Sequence, residues 1–218
     1  MPFSNHRSLF TDRLDAARQL AQRLRQYEGS HPLILAIPRG GVPVGQVIAS
    51  MLNGDLDVVL VRKLSAPFDP EYALGSVDEY GQVWLSGDFN APNEEALTGL
   101  ASIKSEQLNE LKRRRDLYTP ARKPVKAEGR VVIVVDDGLA TGSSMAAALH
   151  SASSLHPAKL ICAVPVAAID NLRKMTPLAD EIACLNALSD FGAVSQYYRH
   201  FPQVDDAEVV RLLSGNGC

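Results

Sequence analysis

Two adjacent carboxylates, Asp136 and Asp137, run directly into Gly138-Leu139-Ala140-Thr141-Gly142-Ser143-Ser144, and this is the stretch whose residue types best suit chemistry. The glycines permit tight backbone, and the hydroxyls of Thr141, Ser143 and Ser144 can donate hydrogen bonds. The Ala-rich run that follows, Met145 to Leu155, reads as a helix. Amides at a helix start lack intrahelical partners and sit at the positive end of the dipole, so the loop favours a phosphate monoester. A nucleotide-triphosphate loop of the Walker type needs a Lys after its last Gly, where Ser143 stands here, which disfavours a nucleotide hydrolase or kinase. The acid pair calls for vicinal hydroxyls beside the phosphate. A ribose 5-phosphate offers both, its 2- and 3-hydroxyls donating to the carboxylates while residues 138–144 hold the 5-phosphate. The plainer alternative is a buried strand ending in an Asp-Gly turn.

A second constellation is Pro38-Arg39-Gly40-Gly41. Paired glycines let backbone amides approach a ligand closely, and Arg39 adds a guanidinium suited to bidentate phosphate recognition. Taken by itself it is equally an ordinary Gly-rich turn. Beside the first loop, it implies one ligand carrying two separated phosphate groups. Arg62 and Lys63 follow an expected strand, Leu56 to Val61, as two further cations at the ligand edge; a solvated pair is the other reading.

The elements that must position these loops follow from periodicity. Val131 to Val135 are five consecutive β-branched residues, apolar on both faces, as suits a central parallel strand between helical layers. Leu33 to Ile37, Leu56 to Val61, Lys159 to Val164 and Glu181 to Leu185 read as four more strands. Between them fall helices at about Thr11 to Tyr27 with Thr11 as cap, Val42 to Leu52 with Pro43 in its first turn, Asn93 to Tyr118, and Ala168 to Met175. A final helix is expected from about Asp205 to Leu213. Five strands joined mostly by helices predict an α/β, doubly wound, five-stranded mostly parallel sheet ordered 2-1-3-4-5 and flanked by helices. That order puts the strands ending at Ile37 and Val135 side by side, with both loops on one crevice. Ser65 to Glu71, with Pro67 and Pro70, predicts an irregular loop, and Ala73 to Val77 with Gln82 to Leu85 a hairpin. Trp84 reads as packing, Lys112-Arg113-Arg114-Arg115 as a solvated helix face, and the aromatics Phe191, Tyr197, Tyr198 and Phe201 as core more than a stacking platform.

Composition bounds the partners. The 218 residues, 46% hydrophobic, suffice for one sizeable core, and 22 basic against 25 acidic residues give a net charge of −3, so no global field draws the chain to nucleic acid or an anionic membrane. Cys162, Cys184 and Cys218 lack disulfide-framework or zinc spacing, and the five histidines, His6, His31, His150, His156 and His200, show no metal spacing. The absence of a long apolar run and of a signal-like N-terminus completes the expectation of a cytoplasmic chain whose partners are small molecules and a second copy of itself.

The stretch VVIVVDDGLATGSS resembles the phosphoribosyl pyrophosphate (PRPP) motif of type I phosphoribosyltransferases, because strand, acid pair, Thr-Gly and helix occur in order. The resemblance implies transfer of the 5-phosphoribosyl group of PRPP to a small nitrogen acceptor with loss of pyrophosphate, a Mg²⁺ ion held weakly by Asp136 and Asp137 and mostly through PRPP, and a homodimer. It makes PRGG at 38–41 the pyrophosphate loop, with a strained or cis peptide near Arg39 to Gly41, and gives Arg39 and Lys63, with Arg62, the leaving group. It also implies one domain: a core of about 30–185, a flexible hairpin loop at 64–87 that closes over the ribose with Glu71 and Tyr72 near it, and a small C-terminal hood at about 186–218. Ala140 occupies the place where the hypoxanthine and guanine enzymes put a general-base Asp, so the acceptor stays open. A PRPP-binding sensor with little catalysis is the other reading.

Overall fold

The computed structural model describes residues 8–66, 69–85, 94–120 and 124–214, with residues 66, 69–74 and 94–100 described by backbone alone. In chain order the elements are α1 (Arg13–Arg23), β1 (Leu33–Ala36), α2 (Gly41–Leu52), β2 (Asp55–Val58), β3 (Val61–Ala66), β4 (Asp69–Asp78), β5 (Val83–Leu85), α3 (Glu94–Tyr118), β6 (Val131–Val135), α4 (Ser143–Ser153), β7 (Lys159–Ala168), α5 (Ile169–Arg173), β8 (Glu181–Leu188) and α6 (Asp206–Leu213). The main sheet is ordered β2-β1-β6-β7-β8 with every pairing parallel. Counted without the hairpin strands, this is the expected 2-1-3-4-5.

The central strands are apolar on both faces because each face meets helices. Ile34, Ala36, Ile133 and Val135 pack into one layer with Ala17, Leu20 and Ala21 of α1, Leu24 just after it, and Ile48 of α2. Their neighbours Leu33, Leu35, Val132 and Val134 face the other layer, against Met145, Ala148, Leu149 and Ala152 of α4. The period of two in a strand sends alternate residues to opposite sides, so an unbroken Val/Ile run needs a cover on each.

Three expectations change in detail. The first helix starts at Arg13 because Asp12, not Thr11, caps it by accepting from the Asp15 amide, and Leu14 is 43% exposed while Ala16 takes the core position. The single strand expected at Leu56–Val61 is two: β2 ends at Val58, and Val61 opens β3 of a second, antiparallel sheet ordered β3-β4-β5. A continuous apolar run does not reveal the corner within it. The irregular loop expected at Ser65–Glu71 is largely strand, with register shifts around Ser65, and only residues 67–68 lie outside the described residues. Among the described residues β5 pairs with β4 only at Gly75–Val77, which leaves the backbone around Pro70 clear of that ladder. The side chains of Glu71 and Tyr72 lie outside the described residues.

The cation cluster is not wholly a solvated face. Arg113 and Arg114 meet Glu110 on the surface, but Arg115 turns inward to Asp57 of β2 at 2.9 Å, to Glu79 beside the hairpin, and to the Val58 carbonyl. Asp57, 1% exposed, also accepts from the Val125 amide at 2.9 Å, so one buried network joins α3, the sheet edge and the hairpin base. The hairpin is fastened on its other side too: Ser151 of α4 donates to Asp78 at 2.8 Å, and Trp84 stacks on His150 with ring centroids 5.5 Å apart. Cys162 and Cys184 are free thiols, and Cys218 lies outside the described residues.

Removing one member of a buried ion network leaves its partners' charges uncompensated. Arg115→Met is therefore expected to lower the unfolding free energy by about 3 kcal/mol, measured as the shift of the urea midpoint at unchanged slope.

Candidate functional site

Parallel register levels the ends of the two central strands. Ala36 lies opposite Val135, and the Ile37 amide donates to the Val135 carbonyl at 2.9 Å. Both chains then leave the sheet at the same height, one as residues 38–41 and the other as 136–142. The two turns touch. A Cβ placed on Gly40 would collide with the Asp137 carboxylate, and one on Gly41 would sit 2.7 Å from the Val135 carbonyl. These glycines are required by close approach of one loop to the other. The peptide bond between Pro38 and Arg39 is cis, within the stretch where an unusual peptide was expected.

Asp137 is held by residues of both terminal segments, and Asp136 by its neighbour's amide. Asp137 Oδ2 accepts from Arg13 Nε at 2.8 Å, and the Tyr198 hydroxyl donates to the Asp137 carbonyl at 2.6 Å. Asp136 Oδ1 accepts from the Asp137 amide at 2.8 Å. Burial raises the Asp136 carboxyl well above its ordinary range, and the neighbouring Asp137 charge raises it further. Burial also raises Asp137, opposed by the charge and hydrogen bond of Arg13, while burial pushes the Tyr198 phenol up and keeps it a donor.

Arg39, Gly40 and Asp137 line one open cavity of about 440 Å³ together with Arg13, Val194, Phe201, Gln203 and Val204. Arg39 reaches it from a half-exposed position, 3.7 Å from Asp206 at the start of α6. The loop after the acid pair crosses beside β7: the Leu139 amide donates to Val166 O, and the Ala168 amide to Leu139 O, both at 2.9 Å. Asn171 Nδ2 holds the Ala140 carbonyl at 2.6 Å. Gly142 has φ 81° and precedes α4 with no side-chain cap, so the first amides of that helix remain available to an anion. Thr141, Ser143 and Ser144 are exposed around it, with Gly138 at the other end of the loop, packed against Val194.

Arg62 and Lys63 are not brought to this cavity. They lie on β3 opposite Val77 and Ser76, and Arg62 donates to Gln107 of α3. The reason is the corner after Val58, which moves them from the parallel sheet's ligand edge to the hairpin. Conversely, Arg13, Gln203 and Asp206 carried no sequence signal, since each reads as a surface residue of a polar segment. Tyr198 and Phe201 were visible only as members of an aromatic cluster. That cluster is mostly core: Phe10, Tyr197 and Tyr198 are buried together, and a backbone bridge from Phe10 to Tyr198 ties the N-terminal segment to it. His200 is exposed.

Among the described residues no three His, Cys, Asp or Glu side chains converge as a metal cage. The carboxylates of Asp136 and Asp137 suit a hard, oxygen-seeking cation in kind, but they are too few to hold one without oxygens from a bound phosphate. No helix among the described residues is long and apolar enough to cross a membrane.

Fold and site together define a doubly wound α/β domain whose two glycine-bearing loops meet at the switch point of the parallel sheet. The chain belongs to the phosphoribosyl transferase domain family, whose model matches residues 10–201. It is similar to a protein of Thermus thermophilus, known as TT1426, with 38% identity, 94% of this chain and 97% of that chain covered, and a TM-score of 0.83. Two curated proteins from two strains of Mycobacterium tuberculosis, each named provisionally as a phosphoribosyl transferase, are 41% identical over 205 residues, covering 94% of this chain and 46% of theirs. The chain thus spans about half the length of the curated relatives it matches.

Gly40→Ala should leave the sheet intact while pushing the Asp137 carboxylate aside. The expected result is a folded protein whose stability falls by about 1–3 kcal/mol, read as a shift of the urea midpoint, since overpacking a tight contact forces neighbouring atoms aside.

Proposed function

We propose that this domain transfers the 5-phosphoribosyl group of PRPP to a nitrogen acceptor, releasing pyrophosphate in a Mg²⁺-dependent reaction. The observation that carries this reading is the meeting of the two loops: adjacent, level strands deliver Arg39 and Gly40 from one and Asp137 from the other to a single cavity. In this reading Asp136 and Asp137 accept from the ribose 2- and 3-hydroxyls. Residues 138–144, with the uncapped start of α4, hold the 5-phosphate. Arg39 and the amides of Gly40 and Gly41 hold the pyrophosphate.

The bond from the ribose C1 to the pyrophosphate oxygen breaks with its electron pair leaving on that oxygen. The acceptor nitrogen's lone pair then forms the new bond to C1, and the acceptor's proton passes to solvent. Bond breaking leads, so the domain's work is to fix the sugar, stabilise the departing charge and exclude water. When bound, Mg²⁺ supplies positive charge to the pyrophosphate oxygens; Asp136 and Asp137 are the residues that would hold it, mainly through PRPP. Ala140 offers no side-chain base, which suits an acceptor other than a 6-oxopurine and equally favours a second reading, a PRPP sensor with little turnover.

We read the chain as one domain, with a core of about 30–185, a hairpin at 64–87 and a hood at about 186–218 acting on that core. A cytoplasmic homodimer that takes PRPP and a small-molecule acceptor is the matching assembly.

Calorimetry with PRPP and Mg²⁺, followed by pyrophosphate release over a panel of nitrogen acceptors, tests the proposal. PRPP binding with turnover supports it, binding without turnover on any acceptor favours the sensor, and triphosphate binding without PRPP binding overturns both. Asp137→Asn is expected to weaken PRPP binding by about 1–3 kcal/mol in a chain that still folds; equal affinity would remove the ribose role.

A further inference from the structure

We infer that Arg13 is a positioning residue of this site, holding the Asp137 carboxylate in place and making PRPP affinity depend on the segment Tyr198–Val204. The inference rests on the phosphoribosyl reading above and concerns a residue that never has to touch the ligand's reacting atoms.

Three independent contacts fix this one side chain. Arg13 Nε donates to Asp137 Oδ2 at 2.8 Å, its Nη1 donates to the Pro202 carbonyl at 2.7 Å, and its guanidinium lies 3.6 Å from the centre of the Phe201 ring. The residue is 8% exposed although it opens a surface helix. A guanidinium offers donors in a rigid fork and a flat face for an aromatic ring, whereas an ammonium cannot serve all three directions at once.

Fastening the C-terminal segment to α1 would need only the Pro202 and Phe201 contacts. The remaining donor, Nε, is directed at Asp137 Oδ2, which is also the carboxylate oxygen nearest Gly40. Asp137 Oδ2 is therefore held where the cation and the glycine turn meet, with Tyr198 fixing the Asp137 backbone. Arg13 also places positive charge beside two adjacent carboxylates that would otherwise repel each other. Assigning Oδ2 to Arg13 leaves Oδ1 as the oxygen presented to the ribose. A side chain 124 positions away in sequence thus sets the rotamer on which sugar recognition depends.

The test is PRPP calorimetry in the presence of Mg²⁺, with thermal midpoints, on the full chain and on Arg13→Met, Arg13→Lys, Asp137→Asn and the double variant Arg13→Met with Asp137→Asn. Arg13→Met is expected to lower affinity roughly tenfold or more, and Arg13→Lys to recover part of that loss by restoring charge without the fork. In the Asp137→Asn background Arg13→Met should cost little further, because residues acting through one contact are not additive. A merely structural Arg13 would move the midpoint and leave the two losses additive; additive losses, or wild-type affinity in Arg13→Met, overturn the inference. Should Arg13→Met fail to fold, Arg13→Lys decides, a loss of about threefold or more supporting the inference and wild-type affinity sinking it. A wild-type chain that does not bind PRPP would remove the functional reading and this inference together, whereas binding that is indifferent to Arg13 removes this inference alone.

Discussion

The parallel pairing of β1 with β6 is the constraint on which the rest depends. Ladder hydrogen bonds fix Ala36 opposite Val135, and a shift of one residue would turn every buried Val and Ile toward the wrong helical layer. Because both faces are covered, the register is strongly specified, and the two glycine-bearing turns are forced to emerge side by side. The site's precision is thus inherited from core packing. Its chemistry occupies only the few residues beyond the last ladder bond.

Charge burial is the second theme, and it works against stability unless each group is matched. Asp57, Glu79 and Arg115 form one closed set, and Arg13 with Asp137 forms another. The first does not line the cavity and ties the hairpin base to α3 and the sheet edge. The second lines the cavity, where Arg13 holds a carboxylate beside the glycine turn. A hydrophobic substitute could serve the first purpose but not the second.

The chain termini complete a site that the sheet begins. Phe10 bridges to Tyr198, Arg13 reaches Asp137 and Pro202, and Asp206 at the head of α6 lies beside Arg39 while also accepting from Tyr118 at 2.6 Å. The segment after β8 is therefore fastened by the N-terminal segment, and the two together contact Asp137 and Arg39.

The sheet order, the acid pair, the glycine loops and the presence of a helix after them were legible in the sequence, because apolar runs, helical periodicity and glycine stereochemistry are local signals carried by neighbouring residues. That helix starts at Ser143, two residues before the expected Met145. The corner after Val58 was not legible, since an apolar run is the same whether it stays in one sheet or turns into another, and Arg62 and Lys63 were misplaced with it. Nor were Arg13 and Arg115, whose local patterns match those of any exposed helix cation. Their burial was decided only when α1 and α3 packed against strands that present Asp137, Asp57 and Glu79, because a charge acquires its partner through space and the energy of that pairing does not exist until the elements meet.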